Sequence, residues 1–149
     1  MREIENVVLF LVDGMRPDGL QQADTPVMDG LIASGAHTLA GRTVMPSITL
    51  PCTTSLFLAV PPERHGITTN TWVSPERPVA GLIDAVHQAG GRTASFYNWE
   101  QLRDLSRPGS LAASFFLATL SGVGVTWPVW LLHMLPAVTT WPLASISPS

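Results

Sequence analysis

The sequence predicts an α/β fold in which helices flank a mainly parallel sheet. Three short segments have the composition of strands, namely Val7–Val12, Ala36–Val44 and Thr93–Tyr97. Apolar residues recur at helical spacing in the stretches between these segments. Strands that alternate with helices are typical of βαβ units, whose successive strands run parallel.

The first strand is the most informative. Val7–Val12 is an unbroken apolar run, and Asp13 and Gly14 follow it directly. A continuous apolar run of this length favours a central parallel strand that is buried on both faces. Ligands of open α/β sheets bind at the carboxyl ends of such strands. We therefore expect Asp13 to deliver a carboxylate to a site at that edge, although capping of a turn is the simpler role for an aspartate there.

The next helix and strand follow from capping signals. Thr25 and Pro26 form a helix start, with Thr25 at the N-cap and proline at the first helical position. Val27, Leu31 and Ile32 recur at helical spacing, and Gly35 supplies a stop. Ala36–Val44 is then a second, weaker strand.

A helix over Leu50–Ala59 is predicted next, with Thr49 as its N-cap and Pro61-Pro62 ending it. The hydroxyl of Thr49 would reach the same edge of the sheet as Asp13 if this turn lies beside the first strand. The sequence therefore predicts that these two side chains converge on one metal ion.

The last predicted helix is Val79–Ala89. Its apolar residues follow the i, i+3, i+4, i+7 pattern, and two glycines after Ala89 end it. Thr93–Tyr97 continues the chain as a further strand.

Composition excludes several classes of function. Only 13% of the 149 residues are charged, against about 25% in an average protein. The formal net charge is −3 and the chain has no basic tract, so we expect no nucleic-acid partner. Cys52 is the single cysteine, which excludes an internal disulfide framework. Acidic residues near the N-terminus do not resemble a secretory signal, so we expect a cytoplasmic protein unless its tail inserts into a membrane.

Charge divides the chain into two segments. Every Asp, Glu and Arg lies within residues 1–107, which contain all the α/β pattern. Residues 108–149 are rich in Trp and Pro, and His133 is their only ionisable side chain. Within this tail, residues 111–132 are uncharged and just long enough to cross a bilayer. A membrane span, a partly buried or disordered appendage, and a tail produced by a frameshift or truncated fusion are the three interpretations.

Four motifs in the first 100 residues carry a resemblance to a known family. They are VVLFLVDGMRPDGL, TPVMDGLIASGA, PSITLPCTTSLF and PPERHGI followed by Asn70. Their order and chemistry resemble the type I phosphodiesterase/nucleotide pyrophosphatase family of the alkaline phosphatase superfamily. This resemblance implies an alkaline-phosphatase-like fold.

The resemblance also implies a reaction. Asp13 would be a metal ligand, and Thr49 would be both a metal ligand and the nucleophile. The intact family holds two divalent ions, for which zinc is the expected metal here. The substrate would be a small phosphate mono- or diester, attacked by Thr49 to form a phosphothreonine that water then hydrolyses. Metal coordination activates a weak hydroxyl nucleophile of this kind.

The family's downstream metal ligands are not found in this sequence. After Asp104 there is no Asp or Glu and only one histidine, whereas a catalytic zinc takes three protein ligands and a water molecule. We therefore expect an incomplete fold and a truncated chain that is inactive or nearly so. The alternatives are a non-catalytic fragment, attached to a membrane through its tail, and a relative of sulfatases or phosphonate hydrolases. An unpaired sheet edge would also favour self-association.

Overall fold

The computed structural model describes residues 6–74 and 78–117. The chain divides into two compact units, Met1–Phe116 and Leu117–Ser149. The interpretations of the tail from residue 118 onward, including most of the candidate span 111–132, therefore lie outside the described residues. Within residues 6–74 and 78–117, no helix is both long and apolar enough to cross a membrane.

The described residues form five helices, a short 3-10 turn and two strands. In chain order the elements are α1 (Pro17–Gln22), α2 (Pro26–Ser34), α3 (Thr49–Leu58), α4 (Pro62–His65), α5 (Leu82–Gln88), β1 (Ala94–Tyr97), the 3-10 turn Glu100–Leu102 and β2 (Ala113–Phe116).

The two strands make a small parallel sheet. β1 and β2 pair in register from Ala94 opposite Ala113 to Tyr97 opposite Phe116. Aromatic pairs reinforce the register, since the Phe96 and Phe115 rings stack with their centroids 4.8 Å apart. This parallel pair with its helices confirms the α/β class. It also places β2 beyond Arg107, within the segment that composition had set apart as a tail.

The small core is centred on α3. Its fully or almost fully buried apolar side chains come from α3, α5 and the loops that follow α4 and the 3-10 turn: Leu50, Leu58, Ile67, Ile83 and Leu105. Gly81, at the N-cap of α5, lies against the end of α3. A Cβ atom on Gly81 would be 2.6 Å from the carbonyl oxygen of Phe57, so only glycine allows this approach.

A buried carboxylate joins the start of α5 to the loop before β2. Asp84 is 1% exposed, and its two oxygens accept the N–H groups of Gly81 and Arg107, each at 2.9 Å. Burial alone would raise the pKa of Asp84, but hydrogen bonds from Ser110, Gly81 and Arg107, with the charge of Arg107, hold it below its ordinary value. The ionised form of Asp84 therefore stabilises the fold.

Two predicted strands are absent from the described residues. Val7–Val12 and Ala36–Val44 have no strand assignment, and the six residues of the first segment are 50–83% exposed. The prediction of a buried central strand was therefore wrong for Val7–Val12 in this structure. Its apolar composition satisfies the pattern of such a strand, but a strand also needs neighbouring strands to pair with, and none of the described segments pairs with it.

The helices agree better with the sequence. α2 begins at Pro26 and ends at Ser34, before Gly35, as predicted. α5 is shorter than predicted, because it begins only after Gly81 rather than at Val79. α3 ends at Leu58, where Ala59 adopts the left-handed conformation, and not at Pro61-Pro62 as predicted. Pro62 instead opens the one-turn helix α4, in which proline occupies the first helical position.

Candidate active site

Asp13 and Thr49 come together although 36 residues separate them. The hydroxyl of Thr49 donates a hydrogen bond to Oδ2 of Asp13, with 3.0 Å between the oxygens. Thr49 is half-buried, and Asp13 is exposed to solvent. The predicted proximity of the two side chains is thus observed. The setting differs from the prediction, because Asp13 follows a segment with no secondary-structure assignment rather than a strand of the described sheet.

Thr49 is not the N-cap of α3, which corrects the sequence interpretation. Ile48 holds the cap position and Thr49 is the first helical residue. Its hydroxyl donates to Asp13, and no cap hydrogen bond is formed by a side chain at that position. The side chain of Asn70 replaces the cap, since its Oδ1 accepts the N–H of Leu50 at 2.9 Å.

Among the described residues, this arrangement leaves one main-chain N–H group at the start of α3 without a hydrogen-bond acceptor. The N–H of Leu50 is bound by Asn70, Pro51 has no N–H, and the N–H of Cys52 donates to the carbonyl oxygen of Ile48. Among the described residues, the N–H of Thr49 has no hydrogen-bond partner. The helix N-terminus therefore presents the N–H of Thr49 itself to an anion beside the hydroxyl.

Cys52 does not face this opening. Its thiol lies 3.7 Å from the carbonyl oxygen of Pro46 and 3.9 Å from that of Val44, both in the loop before α3. The thiol acts there as a weak donor to the backbone. Cys52 is thus half-buried and packs against the loop that carries the chain into Thr49.

The buried ring of His65 is hydrogen-bonded to the hydroxyl of Ser55 and to the main chain of Ile67. A serine beside a histidine is the arrangement of a catalytic nucleophile and its base, but the hydrogen bonds here exclude that role. The ring is 1% exposed, and its Nδ1 accepts the N–H of Ile67 at 3.0 Å. The proton of the neutral ring must then lie on Nε2, which donates to the hydroxyl of Ser55 at 2.9 Å. His65 cannot take a proton from Ser55 in this tautomer, so its role here is structural.

The buried ring makes stability depend on pH. Burial lowers the pKa of His65 below 6.5, against smaller opposing effects from Glu63 and Pro51. The unfolded chain then binds more protons between the two pKa values, so the free energy of unfolding should fall as pH decreases from about 6.5, by at most about 1.4 kcal/mol per pH unit. We expect urea unfolding at pH 7.5 and 5.5 to show this loss.

A pair of variants checks the source of that pH dependence. His65→Asn keeps an acceptor for Ile67 but does not titrate, so its unfolding free energy should be lower and should change less between the two pH values. His87→Asn, at an exposed position, should keep the wild-type pH dependence. Equal pH dependence in wild type and His65→Asn would refute the assignment.

Comparison with known families identifies the family of this chain. The model of the family described as type I phosphodiesterase/nucleotide pyrophosphatase matches residues 7–139, which include both Asp13 and Thr49. The chain belongs to the type I phosphodiesterase/nucleotide pyrophosphatase family. The matched region extends past Arg107, so the similarity reaches further than the four motifs in the first 100 residues. No solved structure was found that matches this family member.

Membership of the phosphodiesterase family identifies the chain as a relative of phosphodiesterase- and pyrophosphatase-type hydrolases, which are generally metal-dependent. Asp13 and Thr49 could form part of a metal site. Asp13 and Thr49 offer two oxygen donors 3.0 Å apart and open to solvent, which suits a divalent cation. Within residues 6–74 and 78–117, however, no group of three His, Cys, Asp or Glu side chains is placed to hold a metal ion.

Sequence reasoning missed the place of Asn70 in this phosphodiesterase-family site. The residue was recognised as part of the fourth motif, but no role followed from its position in the sequence. Its placement at the start of α3 depends on the turn through Gly66, which has a positive φ of 80° and ends α4. In the sequence, the position of Asn70 shortly after the His65-Gly66 pair was the one feature from which its role could have been predicted.

Proposed function

We propose that this chain carries the nucleophile of a metal-dependent phosphoesterase that acts on phosphate mono- or diesters. The observation that supports the proposal is the hydrogen bond from the hydroxyl of Thr49 to Oδ2 of Asp13. It joins the two residues, Asp13 and Thr49, that the sequence predicts to share a metal ion. The family match supports the reaction class.

Thr49 acts as the nucleophile. Its Oγ1 forms a bond to phosphorus while the bond from phosphorus to the ester oxygen breaks, and the leaving oxygen takes a proton from solvent water and departs as the alcohol. The proton of the hydroxyl moves toward Asp13, which already accepts it. A divalent cation such as zinc, held by Asp13 and Thr49, would supply a lower pKa for the hydroxyl and charge neutralisation for the phosphate. Water then attacks the phosphothreonine and regenerates Thr49.

Two N–H donors are available for a non-bridging oxygen of the phosphate. One is the main-chain N–H of Thr49 at the start of α3. The other is the side-chain amide of Asn70, whose Oδ1 is bound to Leu50. Its Nδ2 has no hydrogen-bond partner among the described residues and belongs to a side chain held beside Thr49. Donors aimed at the oxygens of a transferring phosphoryl group stabilise the charge that develops there.

Covalent labelling tests the proposal directly. The chain is incubated with bis(4-nitrophenyl) phosphate and Zn²⁺, quenched and digested, and the peptide that contains Thr49 is analysed by mass spectrometry. We expect a phosphorylated or aryl-phosphorylated Thr49, because formation of the adduct needs only the first chemical step. Prior treatment with a chelator should remove the label. The absence of any adduct with Zn²⁺ present would support the alternative of a non-catalytic chain.

Steady-state turnover by the purified chain should be very low. The described residues bring two candidate ligands together, and residues after Asp104 offer only His133 among the usual metal-binding side chains. Asp13 and Thr49 alone do not complete a catalytic zinc site, which takes three protein ligands and a water molecule, so we expect the first step to occur without the metal-assisted attack of water that completes a turnover. We expect hydrolysis of 4-nitrophenyl phosphate to be indistinguishable with Zn²⁺ and with a chelator. Multiple turnovers that a chelator abolishes would contradict this expectation.

A further inference from the structure

The segment that carries Asn70 is held by side chains rather than by main-chain hydrogen bonds. Residues 67–74 follow α4 and belong to no helix or strand. Within the part of the chain that the structure describes, none of their main-chain groups is hydrogen-bonded to another main-chain group. A segment without such bonds opens easily unless side chains fix it. The position of Asn70 beside Thr49 therefore depends on the side chains that hold this segment.

Gln101 holds the segment two residues after Asn70. Its Oε1 accepts the N–H of Trp72 at 2.6 Å, in a partly buried hydrogen bond between residues 29 positions apart. Two other N–H groups of the segment are bound by side chains, and each of those acceptors lies only two positions away in the sequence. Among the described residues, the N–H of Trp72 is thus the one donor of this segment that is bound by a distant element.

Gln101 itself belongs to a fixed part of the fold. It is the middle residue of the 3-10 turn Glu100–Leu102, which follows β1 at the carboxyl end of that strand. Two main-chain hydrogen bonds of 3.0 Å close the turn, and Leu105 shortly after it is buried in the core. The carboxyl ends of parallel strands are where such sheets bind their ligands. Gln101 therefore links the segment that carries Asn70 to that edge of the sheet.

We propose that Gln101 is a positioning residue for the candidate active site. By accepting the N–H of Trp72, it holds Asn70 in the place where its Oδ1 caps α3 and its amide group lies beside Thr49. This inference rests on the proposed function, since only that function gives the amide of Asn70 a phosphate oxygen to bind. Gln101 does not itself touch the reacting atoms and acts through Asn70.

Amide hydrogen exchange, measured by NMR on the full chain, tests the positioning without any substrate. The bond to Asn70 protects the N–H of Leu50 in wild type. Gln101→Met has a side chain of similar length without a good acceptor, so this N–H should exchange at least about tenfold faster. Gln101→Glu keeps an acceptor oxygen and should restore the wild-type exchange rate.

Two controls accompany the exchange measurement. Gln88→Met changes an exposed glutamine at the end of α5, and Leu50 should exchange in it as in wild type. The N–H of Ala85, which is bonded to Gly81 within the core, should keep its protection in Gln101→Met. Equal acceleration at Ala85 and Leu50 would mean that Gln101 only supports the fold, and it would overturn the proposal.

Labelling of Thr49 by bis(4-nitrophenyl) phosphate with Zn²⁺ tests the consequence for the chemistry. A displaced donor no longer meets the phosphate correctly, so Gln101→Met should be labelled about tenfold to hundredfold more slowly than wild type. If Gln101 acts through Asn70, the same substitution should cause no further loss in an Asn70→Ala background. Independent structural effects of the two residues would multiply instead.

The two measurements separate failure of the inference from failure of the proposed function. Unchanged exchange of Leu50 in Gln101→Met overturns the positioning role, and so do effects of Gln101→Met and Asn70→Ala on labelling that simply multiply. A wild-type chain that takes up no label rejects the proposed function instead. The exchange of Leu50 then decides by itself whether Gln101 holds Asn70.

Discussion

Replacing Thr49 by alanine is expected to abolish covalent labelling by bis(4-nitrophenyl) phosphate. The substitution removes the oxygen that attacks phosphorus, and no other described hydroxyl contacts Asp13. Mass spectrometry of the peptide should show no adduct above the background of a chelated sample. Thr49→Ser restores the hydroxyl on a less constrained side chain, and it should restore labelling at a reduced rate.

Two controls separate loss of chemistry from loss of structure. Thr43→Ala changes an exposed threonine in the loop before α3, and it should label like wild type. Thr49→Ala should unfold in urea within about 1 kcal/mol of wild type, since the lost hydrogen bond is solvent-exposed. Labelling that persists at another residue of the same peptide in Thr49→Ala would assign the nucleophile elsewhere, for example to Ser47, and would reject the proposed role.

Replacing Asp84 by alanine is expected to lower the free energy of unfolding by about 3 kcal/mol. The substitution leaves the N–H groups of Gly81 and Arg107 without the acceptor that both share, in a place where Asp84 is almost completely buried. It also frees the N-terminus of α5 from the loop before β2. A loss of this size is a large part of the stability of a typical domain.

Urea unfolding at pH 7 measures this effect. Asp104→Ala is the matched control, because that carboxylate is about half exposed and, among the described residues, pairs only with neighbouring Arg103, so its loss should change stability by less than about 1 kcal/mol. The pKa of Asp84 is lowered in the folded state, so wild type should lose the contribution of Asp84 as pH falls below about 3.9. Equal stability of Asp84→Ala and wild type would show that the buried carboxylate contributes nothing.

Local signals in the sequence predicted several elements correctly. The Thr25-Pro26 start and the Gly35 stop define α2, and α3 begins at Thr49, one residue before the predicted start. The strand at Thr93–Tyr97 is also confirmed, as β1 over Ala94–Tyr97. Signals of this kind act within a few residues, through the conformational limits of proline and glycine and through side-chain spacing.

The structural features that the sequence did not predict correctly share one physical cause. Val7–Val12 has the composition of a buried strand, yet burial and pairing require neighbours that its own residues cannot specify. β2 was missed because its strand character depends on pairing with β1, including the stacking of Phe115 on Phe96. Asp84 looked like an ordinary helix residue, because its partner Arg107 lies 23 positions away.

The sequence by itself determined the family-type motifs, the identities of Asp13 and Thr49, and the helix boundaries that proline and glycine impose. Only the tertiary structure decided that the two side chains are 3.0 Å apart, that Asn70 caps α3 beside them, and that Val7–Val12 lies open to solvent. The reason is that residue type and short-range spacing constrain the local backbone, whereas contacts between distant residues depend on how the whole chain packs.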